Sequence, residues 1–343
     1  MVGLVLEGGG VRGSYQIGAY IALYDLGIKP NGFAGTSIGA FNAAMLASNR
    51  HFELLDFWEN VDVAKIFDIK PLNIQAKDFS EIKNSLKSYF KLLTNKGIDV
   101  DGMLKVLDEV LDVEALYKSK KDFGLVTFRI KDLKPIIKYK EDIPKSKIKE
   151  YILASCYFPV FKKKKLIDGN YYFDGGIYDN SPVNMLIKKG YKKIYVVKLH
   201  GIGISQKIKD KANIITIEPS RPLGGIFTLD QAVIKDNIKM GYYDTIRTLK
   251  KLDGYKYVFK VRSNGYYKFI VRKVNKRLLK RVCNFFDTEN IKDAVIKSLE
   301  YVMEKEKYSY YEVYRPFNVI KKIKRNTNKK YFIYDFIKKL RKI

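Results

Sequence analysis

Three short stretches of this chain carry groups that together could transfer an acyl unit. The first is Gly35-Thr36-Ser37-Ile38-Gly39, a G-x-S-x-G sequence. That spacing predicts a nucleophile elbow, in which the serine occupies a strained strand-to-helix turn and holds its hydroxyl above a sheet. Gly35 and Gly39 relieve the crowding, and Ile38 offers a backbone N–H at a helix start, where a developing oxyanion is stabilised. The second stretch is Gly8-Gly9-Gly10-Val11-Arg12-Gly13 and the third is Asp174-Gly175-Gly176. A free carboxylate, with a pKa of ~3.9, is a weak base, but burial raises that value and makes it a better proton acceptor. Gly175 and Gly176 would let the backbone turn sharply and bring Asp174 close to the elbow. Taken singly, each stretch could be no more than a glycine turn.

The glycine loop also satisfies G-x-G-x-x-G, the dinucleotide fingerprint, in which converging N–H groups at a helix N-terminus grip a phosphate. That reading requires a carboxylate at the end of the second strand to hold a ribose. Ser37 and its glycines stand there instead, so the loop is better matched to an oxyanion formed during a reaction. Only two histidines are available as a conventional base. His51 lies far along or beyond the helix after Ser37, pointing away from the elbow, and reads as structural or surface. His200 ends an apolar strand, and Ser37…Asp174…His200 follows the chain order of α/β-hydrolase triads, so a triad stays open as an alternative.

The elements that must position these groups are legible from periodicity. Val2 to Leu6 read as a strand and Ser14 to Leu26 as a helix. Asn31 to Gly35 form a second strand, and a small-residue helix runs from the elbow to about Ser48. This βαβα start argues for a parallel or mostly parallel sheet. From His51 to about Leu116 the pattern is helical, with Ile82, Leu86, Phe90 and Leu93, then Leu104, Leu107 and Leu111, at helical spacing. Phe123 to Ile130 and Ile136 to Tyr139 read as strands, and Ile148 to Cys156 as a helix. A two-strand element is predicted around Asp168-Gly169. Pro182 opens a helix, Ile194 to Leu199 and Ile214 to Ile217 are strands, and Leu229 to Leu252 is a long helix. Beyond it, Tyr257 to Val261 and Tyr266 to Val271 flank Asn264-Gly265, a strong hairpin signal. Amphipathic helices follow on Val274, Leu278, Val282 and Phe286, on Ile291, Val295, Leu299 and Val302, and on Ile333, Phe336, Ile337 and Leu340. These patterns place a boundary near Leu252 to Val261, with a catalytic domain over 1–255 and a basic hairpin-plus-helices extension over 256–343.

The chain has 343 residues and a formal charge of +28. Such an excess implies attraction to something anionic, whether nucleic acid, an acidic membrane surface or a phosphorylated substrate, although a composition rich in Lys throughout would also produce much of it. From Ser263 onward there are 22 Lys or Arg against 8 Asp or Glu, a net of +14. No nucleic-acid-binding module is apparent, and none is predicted as a partner. The two cysteines, Cys156 and Cys283, form neither a disulfide framework nor a metal motif, which suits a reducing compartment. Met1 leads almost directly into the first strand, and the longest nearly apolar run, Phe33 to Ala47, is shorter than the ~20 residues needed to span a bilayer. The expected setting is cytoplasmic, with peripheral membrane contact.

The three motifs in this order resemble the patatin-like phospholipases. Ala154-Ser155 with Phe158-Pro159 ahead of the aspartate, and Asn180-Ser181-Pro182 after it, are also similar to that family; the resemblance covers roughly Val2 to Leu252. It implies a three-layer α/β fold with a mostly parallel central sheet flanked by helices. It further implies a Ser–Asp dyad without histidine, with Ser37 as nucleophile and Asp174 as general base. Backbone amides around Gly9, Gly10 and Val11 would form the oxyanion hole, and Arg12 would fix that loop or meet a phosphate. Gly176 stands where many members have Ala. The implied activity is hydrolysis of acylglycerol lipid esters of the phospholipase A or lysophospholipase type, with no metal or other cofactor. Lys162, Lys163, Lys164 and Lys165, and the basic terminal helices, could lie on an anionic bilayer. A protein that keeps this fold as a silent or regulated membrane- or partner-binding module is the alternative of a different class.

Overall fold

In the computed structural model the structure describes residues 1–66, 100–159, 161–326 and 331–341. The helical pattern expected on Ile82, Leu86, Phe90 and Leu93 lies outside them. By contacts along the backbone the chain divides into two units, Met1–Gly241 and Tyr242–Ile343.

The first unit is built on a seven-stranded sheet. Its strands are β1 (Val2–Leu6), β2 (Gly32–Thr36), β3 (Asp122–Arg129), β4 (Lys134–Tyr139), β5 (Tyr172–Asp174), β6 (Lys193–Val197) and β7 (Asn213–Ile217). The order is β4-β3-β2-β1-β6-β7, with β5 paired to β3. β1 pairs in parallel with both β2 and β6, and so do β2 with β3 and β6 with β7; β4 and β5 run antiparallel to β3. Pro135 sits inside β4 rather than before it; β4 lies at the sheet edge, where a missing N–H costs no ladder bond.

The inner strands are buried on both faces, which is why they read as short apolar runs without polar alternation. On one face Val5, Ala34, Val126 and Val196 pack with Val183, Met185 and Leu186 of a helix at Val183–Lys188. On the other lie the helix α1 (Ser14–Asp25), whose Tyr20 ring stands 6.3 Å from Phe33, and the helix α2 (Ile38–Ala47), which crowds the Cα of Gly35. Helix, sheet, helix is therefore the layering. The helix α3 (His51–Asn60) follows α2, and the expected run on Leu104 and Leu107 is the helix Asp101–Val110. The Ile148 helix ends at Ser155.

The sheet register brings two chain segments nose to nose. Along one edge of β3, residues Asp122 to Val126 pair with Gly32 to Thr36 of β2, and Thr127 to Arg129 pair with Asp174 to Tyr172 of β5. β2 is parallel to β3 and β5 antiparallel, so their C-terminal ends point toward each other. Thr36 and Asp174 occupy consecutive positions along the edge of β3, and Ser37 follows immediately.

Two expectations fail in detail. No two-strand element surrounds Asp168-Gly169. A single 3-10 turn, Ile167–Gly169, with Asp168 and Gly169 both at positive φ, leads into the lone strand β5, whose partner is β3. In the second unit the Asn264-Gly265 hairpin is absent. Asn264–Ile270 is a helix, capped by the Ser263 hydroxyl accepting from the Tyr266 N–H. Its Tyr267 and Ile270 are fully buried, while Val258–Phe259 pairs in parallel with Val313–Tyr314. The cap and the apolar helix face outweigh the turn preference of the Asn-Gly pair. Among the described residues this unit also holds the helices Lys276–Phe285, Ile291–Lys305, Pro316–Asn326 and Phe332–Lys339, around a core that includes Phe259, Leu299, Ile333 and Phe336.

Candidate active site

Ser37 is the one residue between β2 and α2. Its backbone angles, φ 56° and ψ −132°, belong to a region that side-chain-bearing residues rarely occupy, which costs on the order of 1–3 kcal/mol. The surroundings enforce it. The Ser37 N–H donates to the Ser155 hydroxyl at 2.9 Å, and that hydroxyl in turn donates to the Val126 carbonyl at 2.6 Å. Thr36 is held by a 2.7 Å bond from its hydroxyl to the Asp179 carbonyl. The elbow also needs glycine at Gly39, where an added Cβ would stand 2.2 Å from the Leu6 carbonyl oxygen.

Asp174 lies beside it, only 7% exposed. Its carboxylate accepts the Gly176 N–H at 2.8 Å, and the Ser37 side chain is its other polar neighbour. Burial pushes its pKa up to about 6, against the lowering effect of the Ser37 side chain and the Gly176 N–H. Gly175 and Gly176 form a tight 3-10 turn after the strand, with Gly175 packed on the Val126 carbonyl. Cys156 shares this corner. Burial and the neighbouring Asp174 charge raise its thiol pKa well above the ordinary value, so it is held as a neutral thiol beside Ser37.

The glycine loop closes the site from β1. Gly8 is clamped by Asn180, whose carbonyl accepts the Gly8 N–H at 3.1 Å and whose side-chain amide donates to the Gly8 carbonyl at 3.2 Å. Gly10 has φ +59°, and an added Cβ would lie 2.2 Å from the Ile226 carbonyl oxygen. The Val11 N–H donates to that same carbonyl at 2.9 Å. Val11 is thus committed to the protein, contrary to the expectation that its amide faces a substrate. Among the described residues the N–H groups of Gly9, Gly10 and Ile38 have no protein acceptor. Gly13 ends the loop, its carbonyl accepting from Asn42 at 3.0 Å.

Arg12 reaches from the loop to backbone carbonyls of two other segments. Its guanidinium donates to the carbonyls of Gly224 at 2.8 Å and His200 at 2.9 Å. The buried Glu7 carboxylate pins the same segment, accepting the N–H of Leu199 at 2.5 Å and of His200 at 3.0 Å, and pairing with Lys198 at 3.2 Å. His200 therefore contributes its backbone to the scaffold. Its side chain is exposed and borders a separate depression with Arg12, Arg221 and Leu223, not the cavity that holds Ser37. His51 sits among Tyr20, Tyr24 and Phe52, its pKa lowered by burial, as a structural histidine.

Ser37, Asp174 and Gly8 to Val11 border one cavity of about 120 Å³. Its other walls are largely apolar, from Phe41, Trp58, Leu107, Ile152, Phe158 and Phe227 among others. Lys162, Lys163, Lys164 and Lys165 are all exposed and follow Phe161, another lining residue; Lys164 pairs with Asp101 at 2.6 Å. Sequence reasoning missed Asn180 as a clamp and Trp58 and Ile226 as cavity walls, because their signal is tertiary. Among the described residues no three His, Cys, Asp or Glu side chains are grouped to hold a metal ion, and no helix is long and apolar enough to cross a membrane.

Comparison with known proteins bears on the same region. A rat protein named patatin-like phospholipase domain-containing protein 7 is 26% identical over 209 residues, covering 57% of this chain. A lysophospholipase named NTE1 from Kluyveromyces lactis is 26% identical over 205 residues, covering 59%. The chain spans 13% of the length of either relative. The crystal structure of VipD from Legionella pneumophila aligns with a TM-score of 0.46 and 16% identity, over 94% of this chain and 79% of that one. The sequence profile of a family described as patatin-like phospholipase matches residues 4–187, more than half of the chain and all three glycine-bearing motifs. The chain belongs to the patatin-like phospholipase family.

Proposed function

We propose that this protein is a lipid acyl hydrolase that cleaves carboxylic esters of membrane lipids through an acyl-enzyme on Ser37. The observation that carries the reading is a buried carboxylate beside a serine side chain at the head of an apolar cavity. With a pKa near 6, Asp174 is ionised at neutral pH and more basic than a free aspartate. It takes the Ser37 proton as the oxygen attacks the ester carbonyl. Negative charge then develops on the carbonyl oxygen, and the uncommitted N–H groups of Gly9 and Gly10, with Ile38 at the start of α2, are the donors suited to it. The alcohol leaves with the proton held by Asp174. Water next attacks the acyl-enzyme with Asp174 again as base, releasing the fatty acid. The apolar walls fit the acyl chain, and the relatives named as phospholipase and lysophospholipase agree in substrate class.

The test is release of fatty acid from phospholipid and lysophospholipid by wild type, Ser37→Ala, Asp174→Asn and His200→Ala. The dyad requires loss of activity in the first two variants and retention in the third. Full activity in Ser37→Ala sinks the mechanism, and loss in a folded His200→Ala would replace the dyad with a triad. The exposed Lys162 to Lys165 run supports peripheral contact with anionic lipid beside the cavity. Equal activity on neutral and anionic vesicles at low salt would remove that role.

A further inference from the structure

A buried chain of amide side chains connects the wall of the cavity to the glycine loop, and its direction is fixed by chemistry. The Trp58 indole N–H can only donate, and it donates to Asn42 Oδ1 at 3.0 Å. The Asn42 amide must therefore turn its NH₂ the other way. That group donates to the Gly13 carbonyl at 3.0 Å and to Gln16 Oε1 at 2.8 Å. The Gln16 NH₂ is left to donate to the Glu7 carbonyl at 2.7 Å. Gln16 and Asn42 are fully buried and Trp58 is 2% exposed, so no water can substitute for a lost partner.

The two carbonyls at the end of this chain bracket Gly8 to Gly13. Asn42 belongs to α2, the helix launched by Ser37, and Gln16 to α1, the helix that the loop launches. We infer that Trp58, Asn42 and Gln16 are positioning residues: they set the distance between Ser37 and the amides of Gly9 and Gly10, and Trp58 orients the whole chain from within the cavity wall. The inference rests on the acyl-hydrolase reading and adds residues to its machinery. A shift of a few tenths of an ångström in the loop would weaken donors aimed at a charge that exists only in the transition state. The loss therefore falls on kcat and not on KM.

The experiment uses Trp58→Phe, which keeps an aromatic wall but removes the donor, and Asn42→Asp, which keeps size but removes both donated bonds. Each is assayed with p-nitrophenyl butyrate and p-nitrophenyl palmitate, and each is labelled with a fluorophosphonate probe that reports attack by Ser37. For Trp58→Phe we expect kcat to fall about tenfold on both esters, KM to stay within twofold, and labelling to slow by the same factor. For Asn42→Asp the fall is about a hundredfold. The apparent pKa of kcat stays near 6 in both, because Asp174 is untouched. Variants that melt at lower temperature yet keep kcat and labelling within twofold of wild type would show the chain to be structural only. A change confined to KM for palmitate would make Trp58 merely a wall. Wild type that neither hydrolyses nor labels overturns the hydrolase reading, and the inference with it; an active wild type beside unimpaired variants overturns the inference alone.

Discussion

Replacing Asp174 by Asn should make the protein inactive and, at neutral pH, more stable. In the folded state the carboxyl has a pKa of about 6 because it is buried, against 3.8 for the free group. Below pH 3.8 it is protonated in both folded and unfolded chains and contributes nothing. Between the two values the folded state holds a proton that the unfolded state has released, so stability falls as pH rises. Above pH 6 the group is ionised in both, and the full penalty is present. A difference of about 2 pKa units corresponds to about 3 kcal/mol. Asn keeps the geometry: its carbonyl can accept from the Gly176 N–H and its amide can donate to Ser37. Urea unfolding of wild type and Asp174→Asn at pH 4, 5, 6, 7 and 8 measures the effect. The variant's advantage over wild type should grow by about 2.5 kcal/mol from pH 4 to pH 8, most of it below pH 6, while wild-type kcat rises around pH 6 as the folded carboxyl ionises. A stability difference that is flat across this range would refute the idea that burial has tuned Asp174 as a base.

Other outcomes follow from single features. Ser37→Gly removes side-chain strain at φ 56° and should raise stability by about 1 kcal/mol in urea melts while abolishing hydrolysis. Gly39→Ala places a methyl 2.2 Å from the Leu6 carbonyl and should cost about 3 kcal/mol or more by thermal melting, or prevent folding. Ser263→Ala removes the cap of the Asn264–Ile270 helix and should cost about 1 kcal/mol. Were that segment a hairpin, the change would be neutral. Cys156 should react with iodoacetamide more slowly than Cys283, as read by peptide mass spectrometry at pH 8, since Cys156 is buried and its thiol is held far above its ordinary pKa.

What the sequence made legible is what is local. The strand, glycine loop, helix and elbow occupy Val2 to Ala47 without a long detour, and their glycine spacing follows from backbone crowding at adjacent turns. Asp174 was legible through its two glycines, though not the reason it meets Ser37, which is the shared edge of β3. The loss of the Val11 amide was invisible, because its acceptor is Ile226, a residue with no motif around it. The ambiguity of Arg12 could be resolved only by the carbonyls of Gly224 and His200 converging on it. Asn264-Gly265 misled for the opposite reason: the turn signal is local, while the burial of Tyr267 and Ile270 that overrides it is not.

The central place of β1 has a consequence for how the molecule is made. One neighbour of β1, β2, is reached within a few tens of residues, but the other is β6, with Val2 opposite Lys193. During synthesis β1 leaves the ribosome well before β6 and must wait, with one edge bare, for most of the first unit to be translated. The glycine loop and the elbow are held by partners that arrive in the same late stretch, from Asp179 and Asn180 to Ile226. In the proposed mechanism the serine is therefore present long before the partners that position it, and a nascent chain would carry no working nucleophile until the sheet has closed.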